Sequence, residues 1–177
     1  QGAFEEHIKM LKSLNVEAVE IRQRPDLEQD FDGFIIPGGE STVISKLLNE
    51  LNMREPLLQK IDSGAAVFGT CAGLIMMAEN TGDPKAQPLK LMNYTAKRNA
   101  YGRQLGSFST VESFEGIGKI PMVFIRAPYI SEACDNVKIL ATVDGKIVAA
   151  RQGKFLATAF HPELTDDLSV HKYFLNM

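Results

Sequence analysis

Apolar residues recur at helical spacing near the start of the chain, at Phe4, Ile8, Leu11 and Leu14, with Glu5, Glu6, Lys9 and Lys12 between them. A stripe of that period predicts an amphipathic helix. Val16 to Ile21 alternates apolar and charged residues, the period of an exposed or edge strand, and Arg24-Pro25-Asp26 breaks it. Phe34-Ile35-Ile36 is a short apolar run ended by Pro37-Gly38-Gly39, which reads as a buried strand and a tight loop. Thr42 to Leu51 follows as a helix capped by Ser41 or Thr42, and a further helix runs from about Pro56 to Ile61. Ala65 to Phe68 is a second buried strand, GTCAG (Gly69 to Gly73) a turn, and Leu74 to Ala78 a helix, with Met76 and Met77 as core filler behind the turn. Strand and helix alternate through this half, so a parallel sheet with helices on both faces is expected.

After the loop Thr81 to Pro88 the pattern changes to short strands. They are expected at Leu91–Tyr94, Ser109–Glu112, Met122–Ile125, Val137–Val143, Lys146–Ala150 and Phe155–Phe160. Asp144-Gly145 is a strong hairpin turn and Gln152-Gly153 a second candidate. A last helix begins near Thr165-Asp166-Asp167 and carries Leu168, Tyr173 and Phe174. No internal repeat is visible. At 177 residues this is one domain, 1–177, long enough to bury roughly 70% of its unfolded surface. An α/β protein normally begins with a strand, so a short strand is expected ahead of Gln1.

A net charge of −3 argues against a general nucleic-acid binder. It says little about a small acidic substrate, which one local arginine can hold. The chain has two cysteines, Cys71 and Cys134. That is too few for a secreted disulfide scaffold, and a reducing cytoplasm is the expectation. No signal peptide and no apolar run near the roughly 20 residues of a membrane span are present.

GTCAG has the form G-x-C-x-G after a strand and before a helix, the cysteine counterpart of a nucleophile elbow. The turn lifts the sulfur out of the sheet, and the helix N-terminus favours the thiolate, the reactive form. The amide of Ala72 is placed to serve an oxyanion. The plainer alternative is an inert buried cysteine in a glycine-rich turn. FHPEL (Phe160 to Leu164) follows another strand. There His161 can take the thiol proton and Glu163 can hold its tautomer. Taken alone, these two would read as a surface histidine and a capping carboxylate. PGGEST (Pro37 to Thr42) offers backbone amides to developing negative charge. It lacks the lysine that a phosphate loop requires. His7 reads as polar surface or a partner contact, His171 as an incidental residue of the last helix, and Cys134 as structural. Three scattered histidines and two distant cysteines have no zinc spacing.

Together these segments resemble the class I (triad) glutamine amidotransferases. QGAFEEH, PGGEST, GTCAGLI, KRNAYGRQ (Lys97 to Gln104), FIRAP (Phe124 to Pro128) and FHPEL are similar, in that order, to the glutaminase subunits of pyridoxal 5′-phosphate synthase. GTCAG and HPE fit many amidotransferases, whereas KRNAYGRQ and FIRAP are the specific segments.

The resemblance implies a three-layer, flavodoxin-like α/β fold. Its central sheet is mostly parallel, with helices on both faces and an added antiparallel region in the second half. It implies a Cys71–His161–Glu163 triad, glutamine contacts at Gly39, Glu40, Ser41, Arg98, Ile125 and Arg126, and oxyanion donors at Gly39 and Ala72. It further implies a partner-facing loop at Gln1 and Gly2, and ammonia delivered to the synthase subunit, with no cofactor on this chain. Family members carry a strand ahead of the Gln-Gly pair. Without the resemblance, Arg98 and Arg103 read as a solvated basic loop, and a basic-aromatic RNA patch at Tyr101 is a weaker alternative. Three other functions stay open: service to a different synthase, such as that of imidazole glycerol phosphate, a catalytically silent regulatory subunit on the same fold, and a cysteine peptidase or stress protein with a similar elbow.

Overall fold

The computed structural model describes residues 2–83, 85–98 and 106–177. Its helices are α1 (Phe4–Ser13), α2 (Ser41–Glu50), α3 (Arg54–Asp62), α4 (Ala72–Met77) and α5 (Ser169–Leu175). Its strands are β1 (Gly33–Ile36), β2 (Ala66–Thr70), β3 (Ala78–Thr81), β4 (Met92–Lys97), β5 (Ser107–Phe114), β6 (Gly118–Ile125), β7 (Tyr129–Ala133), β8 (Lys138–Val143), β9 (Lys146–Gln152) and β10 (Phe155–Thr158).

The three apolar runs form the parallel part of the main sheet. β2 lies between β1 and β10 and pairs in parallel with both. Val67 to Thr70 are all buried, as expected of a strand covered on both faces, which reads as a continuous apolar run and not as an alternation. Beyond β10 the sheet continues through β9, β7, β4 and β3, with β8 on β9. This second-half region is antiparallel from β10 to β4. β5 and β6 form a separate two-stranded sheet, and the backbone N–H of His161 donates to the Val123 carbonyl of β6 at 2.8 Å.

Several boundaries differ from the sequence reading. Val16 to Ile21 joins no ladder among the described residues; burial alternates only from Val16 to Val19, and Val19 and Glu20 are both exposed, so the period of a strand is broken and has no neighbour to pair with. α2 begins at Ser41, with Glu40 at its N-cap and no side-chain capping bond. Ser41 is buried, which takes its hydroxyl away from the capping role expected of Ser41 or Thr42. β7 and β3 were not anticipated. β7 follows Pro128 and mixes apolar and polar residues, and the polar Ala78–Thr81 extends only because it finds β4 alongside, in parallel with a bulge. The β8–β9 hairpin turns at Asp144-Gly145, with φ of 49° and 72°, the hand of a type I′ turn. In the next hairpin Gln152 pairs with Phe155, so the turn is Gly153-Lys154, one residue later than expected. α5 starts at Ser169, whose N–H donates to the Asp167 carboxylate at 2.7 Å.

The crossing of β2, α4 and β1 is the tightest part of the core. A Cβ on Gly73 would stand 2.1 Å from the Ile36 carbonyl oxygen, and one on Gly69 would stand 2.5 Å from the Met77 sulfur and 2.7 Å from Gly73. Met76 and Met77 are fully buried beneath the turn. Gly73→Ala is therefore expected to cost about 1–3 kcal/mol through overpacking, whereas Gly82→Ala, where a Cβ meets nothing within 4 Å, is expected to be nearly neutral. Thermal denaturation of the two variants side by side checks this.

Candidate active site

Cys71 sits between the last residue of β2 and the first of α4, at φ 50° and ψ −101°. A non-glycine residue there stores on the order of 1–3 kcal/mol and persists only where its surroundings over-determine it. They do: the Cys71 N–H donates to the Thr158 carbonyl of β10 at 2.8 Å, and Gly69 and Gly73 let strand and helix close on either side. The sulfur lies 3.9 Å from the Ile125 carbonyl oxygen at the end of β6.

β10 ends at Thr158, and the chain then runs through His161 into the one-turn 3-10 segment Pro162–Leu164. His161 Nδ1 lies 2.8 Å from Glu163 Oε1, and the Cys71 thiol is close enough to act on the same ring. Thiol, imidazole and carboxylate thus gather at the carboxyl ends of adjacent parallel strands. Burial works against the charged ring. Hydrogen bonds and charge from Cys71 and then Glu163 outweigh it, and His161 is raised from 6.5 to about 10. Burial likewise opposes the charge on Glu163, but hydrogen bonds from His161 and then His7 bring it down from 4.5 to about 2. A Cβ on Gly38 would stand 2.3 Å from His161 Cε1, so only glycine lets the PGG loop lie against the imidazole.

The other expected residues fall around these three. Gly39 follows the glycine that touches His161. The carboxylate of Glu40 pairs with the Arg98 guanidinium, which also holds Asp83 at 2.9 Å, and Glu40 accepts a bond from Thr42 Oγ1 at 3.2 Å. Burial works against the charge on Glu40, but the Arg98 guanidinium, and then the Thr42 hydroxyl, hold its carboxyl below the usual carboxylate value. Ser41 is buried, with its hydroxyl unpartnered among the described residues. Ala72 opens α4, so its N–H has no intrahelical acceptor. Ile125 is brought to the sulfur, and Arg126, at φ 44°, follows it on the exposed side. The Gly2 backbone packs on Gly38, and the Ala3 N–H donates to the Gly38 carbonyl at 3.1 Å. Gln1, Tyr101 and Arg103 lie outside the described residues.

The model of the SNO glutamine amidotransferase family matches residues 1–177. The chain belongs to that family. It is 54% identical over 180 residues to the pyridoxal 5′-phosphate synthase subunit PdxT of Haemophilus influenzae, covering 100% of this chain and 94% of the relative. It is 53% identical to the subunit of the same name from Streptococcus pneumoniae, covering 93% of that protein. A solved glutamine amidotransferase superposes with a TM-score of 0.93 at 43% identity, over 99% of this chain and 94% of the other. A glutamine amidotransferase from Thermotoga maritima shares the fold, with a TM-score of 0.62 at 13% identity over 99% and 81% of the two chains.

Three residues of this amidotransferase site escaped the sequence reading. His7 is not at the surface: it is 3% exposed, and its Nε2 lies 3.2 Å from Thr70 Oγ1 and 3.4 Å from Glu163 Oε1. His171 is fully buried, with Nε2 at 2.9 Å from His7 Nδ1. Thr70 Oγ1 accepts from the Gly38 N–H at 3.1 Å and lies 3.5 Å from Glu163 Oε1. The signal for His7 was present, since it stands i+3, i+4 and i+7 from Met10, Leu11 and Leu14 and so shares their face. Cys134, by contrast, is exposed beyond β7 and is no part of the packed core.

Burial, and then the neighbouring His7, lower His171 from 6.5 to about 4, against a smaller upward pull from Glu163. A depressed histidine leaves the fold fully stable above pH 6.5 and drains stability as the pH falls towards 4. His171→Gln keeps an N–H for His7 but cannot titrate. Its urea midpoint is expected to fall less than that of the parent between pH 7.5 and pH 4.5, as read from denaturation curves at both.

Proposed function

We propose that this chain is a glutaminase. It hydrolyses L-glutamine to L-glutamate and ammonia through a thioester on Cys71 and passes the ammonia to the synthase subunit of a pyridoxal 5′-phosphate synthase. The observation that carries the chemistry is the Cys71–His161–Glu163 grouping, with Nδ1 to Oε1 at 2.8 Å and the strained elbow behind the sulfur.

His161, whose affinity for a proton is raised, takes the thiol proton, and the thiolate attacks the side-chain amide carbon of glutamine. The oxyanion is met by the N–H of Ala72 and by the Gly39 backbone. The imidazolium gives its proton to the departing nitrogen, the C–N bond breaks, and ammonia leaves a γ-glutamyl thioester. Water then attacks the thioester carbon, His161 accepts its proton, and the C–S bond breaks to release glutamate and restore the sulfur. Glu163 stays charged throughout. Its part is to hold the Nδ1–H tautomer and the orientation of the ring.

Arg98 is the cation that suits the α-carboxylate of glutamine, bidentately, and Glu40 is the anion beside it; Ser41, Ile125 and Arg126 complete the expected substrate contacts. Ammonia in neutral water is mostly ammonium and a poor nucleophile, so a direct passage to a partner is needed. The partner reading rests on the relatives that are subunits of pyridoxal 5′-phosphate synthase, and on KRNAYGRQ and FIRAP. Gly2, which packs on Gly38, and Gln1 before it in the sequence are the proposed docking loop.

The test is ammonia release from L-glutamine by the chain alone and with that synthase subunit added. Stimulation by the subunit is expected, and Cys71→Ala is expected to lose at least about a thousandfold in kcat. Ammonia release that survives Cys71→Ala would overturn the mechanism, and indifference to the synthase subunit would overturn the partner. Arg98→Ala is expected to raise KM for glutamine about tenfold with a smaller change in kcat, the mark of a group that binds substrate and transition state alike.

A further inference from the structure

We propose that His7 is a positioning residue of the triad: from α1 it holds the Glu163 carboxylate in place against His161, and His171 on α5 fixes the tautomer in which His7 does so. The inference rests on the triad reading above and adds to it residues from two helices at opposite ends of the chain.

The hydrogen bonds assign the protons. Glu163 is a carboxylate and only accepts. His161 Nδ1 hydrogen-bonds its Oε1 at 2.8 Å, and His7 Nε2 hydrogen-bonds Thr70 Oγ1 at 3.2 Å while standing 3.4 Å from the same Oε1, so each of these nitrogens carries the hydrogen. With Nε2 protonated, the Nδ1 of a neutral His7 is an acceptor, and the nitrogen at 2.9 Å from it, His171 Nε2, donates. The remaining nitrogen of a neutral His171, Nδ1, is then a bare lone pair. It has no partner among the described residues, and a buried lone pair costs less than a buried, unmade N–H donor. The reversed direction would place such a donor there. Thr70 falls into the same order: its hydroxyl oxygen accepts from the Gly38 N–H at 3.1 Å and its hydrogen can turn to Oε1 at 3.5 Å. The side-chain donors thus run in one order, from His171 through His7 and Thr70 to a single carboxylate oxygen.

This arrangement does more than fill space. His7 touches neither the sulfur nor His161 by any hydrogen bond described, so its effect on the reaction passes through Glu163. The groups facing His7 are Glu163 after β10, His171 on α5 and Thr70 on β2, with Phe68 of β2 edge-on to its ring at 6.0 Å. Removing the Nε2 donor leaves Oε1 with fewer bonds and the carboxylate freer to turn away from the imidazole. The imidazolium is then less well held, while the glutamine-facing residues are untouched. The cost therefore falls on kcat and on the pH profile, and spares KM.

The two amide substitutions separate this role from packing. His7→Gln can place an N–H where Nε2 stands; His7→Asn reaches only the Nδ1 position and keeps the contact to His171. The experiment compares kcat, KM for glutamine and the pH dependence of kcat/KM for the parent, H7Q and H7N, with the synthase subunit present, and circular dichroism of each. H7N is expected to lose about tenfold or more in kcat, the effect of one lost hydrogen bond to a charged group, with KM within about twofold of the parent. Its alkaline limb is expected to move to lower pH, and H7Q is expected to restore both kcat and the profile. Equal kcat and profile in H7N and H7Q, better activity in H7N, or loss of the fold in both would overturn the proposal. Cys71→Ala in the same assay keeps the two readings apart. If it remains active, the triad fails; if it is inactive while H7N matches the parent, the positioning role alone fails.

Discussion

A charged carboxylate enclosed by protein must be surrounded by donors, and Glu163 is that carboxylate here. Its side chain has no exposed surface, and an uncompensated charge in such a place costs several kcal/mol. The donors come from four separate parts of the chain. His161 belongs to the segment after β10, Thr70 to the last position of β2, and His7 to α1, with His171 of α5 behind it. The meeting of these elements is thus dictated by one acid. α1 has to bring His7 to Thr70 and Glu163 at the end of β2, and α5 sets His171 behind it.

The same strand ends hold the proposed nucleophile. β2 and β10 are parallel neighbours, so their carboxyl ends open side by side, the place where open α/β sheets build their sites. One delivers Cys71 and the other His161, and the bond from Cys71 N–H to the Thr158 carbonyl ties them. The left-handed backbone at Cys71 is sustained by that tie and by the two glycines of the elbow, where there is no room for a side chain. Strain at the sulfur and charge at Glu163 are therefore borne by one rigid unit. Reorganisation during the reaction would be small, which is what electrostatic stabilisation of a transition state needs.

The elbow, the HPE segment and the PGG loop were legible because each is a local pattern: a strand, a tight turn and the start of a helix or a single turn. The parallel half of the sheet was legible for a related reason, since strands covered on both faces are continuous apolar runs. What failed was non-local or marginal. Val16 to Ile21 has much of the alternation of a strand in its sequence, but a strand exists only by pairing, and no ladder among the described residues reaches it. β3 and β7 are short and mixed in character and are made by their neighbours. His7 and His171 are 164 positions apart. Each lies on the apolar face of its own helix, where a polar residue is easily discounted, and their meaning comes only from the way two helices bring them to the end of β2. A histidine on an apolar face is a question about partners, and the chain order does not say which partner answers it.

The site divides by burial into two parts with different tasks. Glu163, His161, His7, His171 and Thr70 are enclosed and fix the chemistry. Arg98, Glu40 and Ile125 stand at the rim, between about a third and a half exposed, and the charge of Arg98 is paired with those of Glu40 and Asp83. Charges in that position can exchange one partner for another at small cost, because water already shares them; those inside cannot. Recognition of an amino acid with its own ammonium and carboxylate suits the first kind of group, and holding one imidazole tautomer suits the second. The net charge of the chain therefore bears little on what it binds, because the charges that matter are matched locally, pair by pair, around one sulfur.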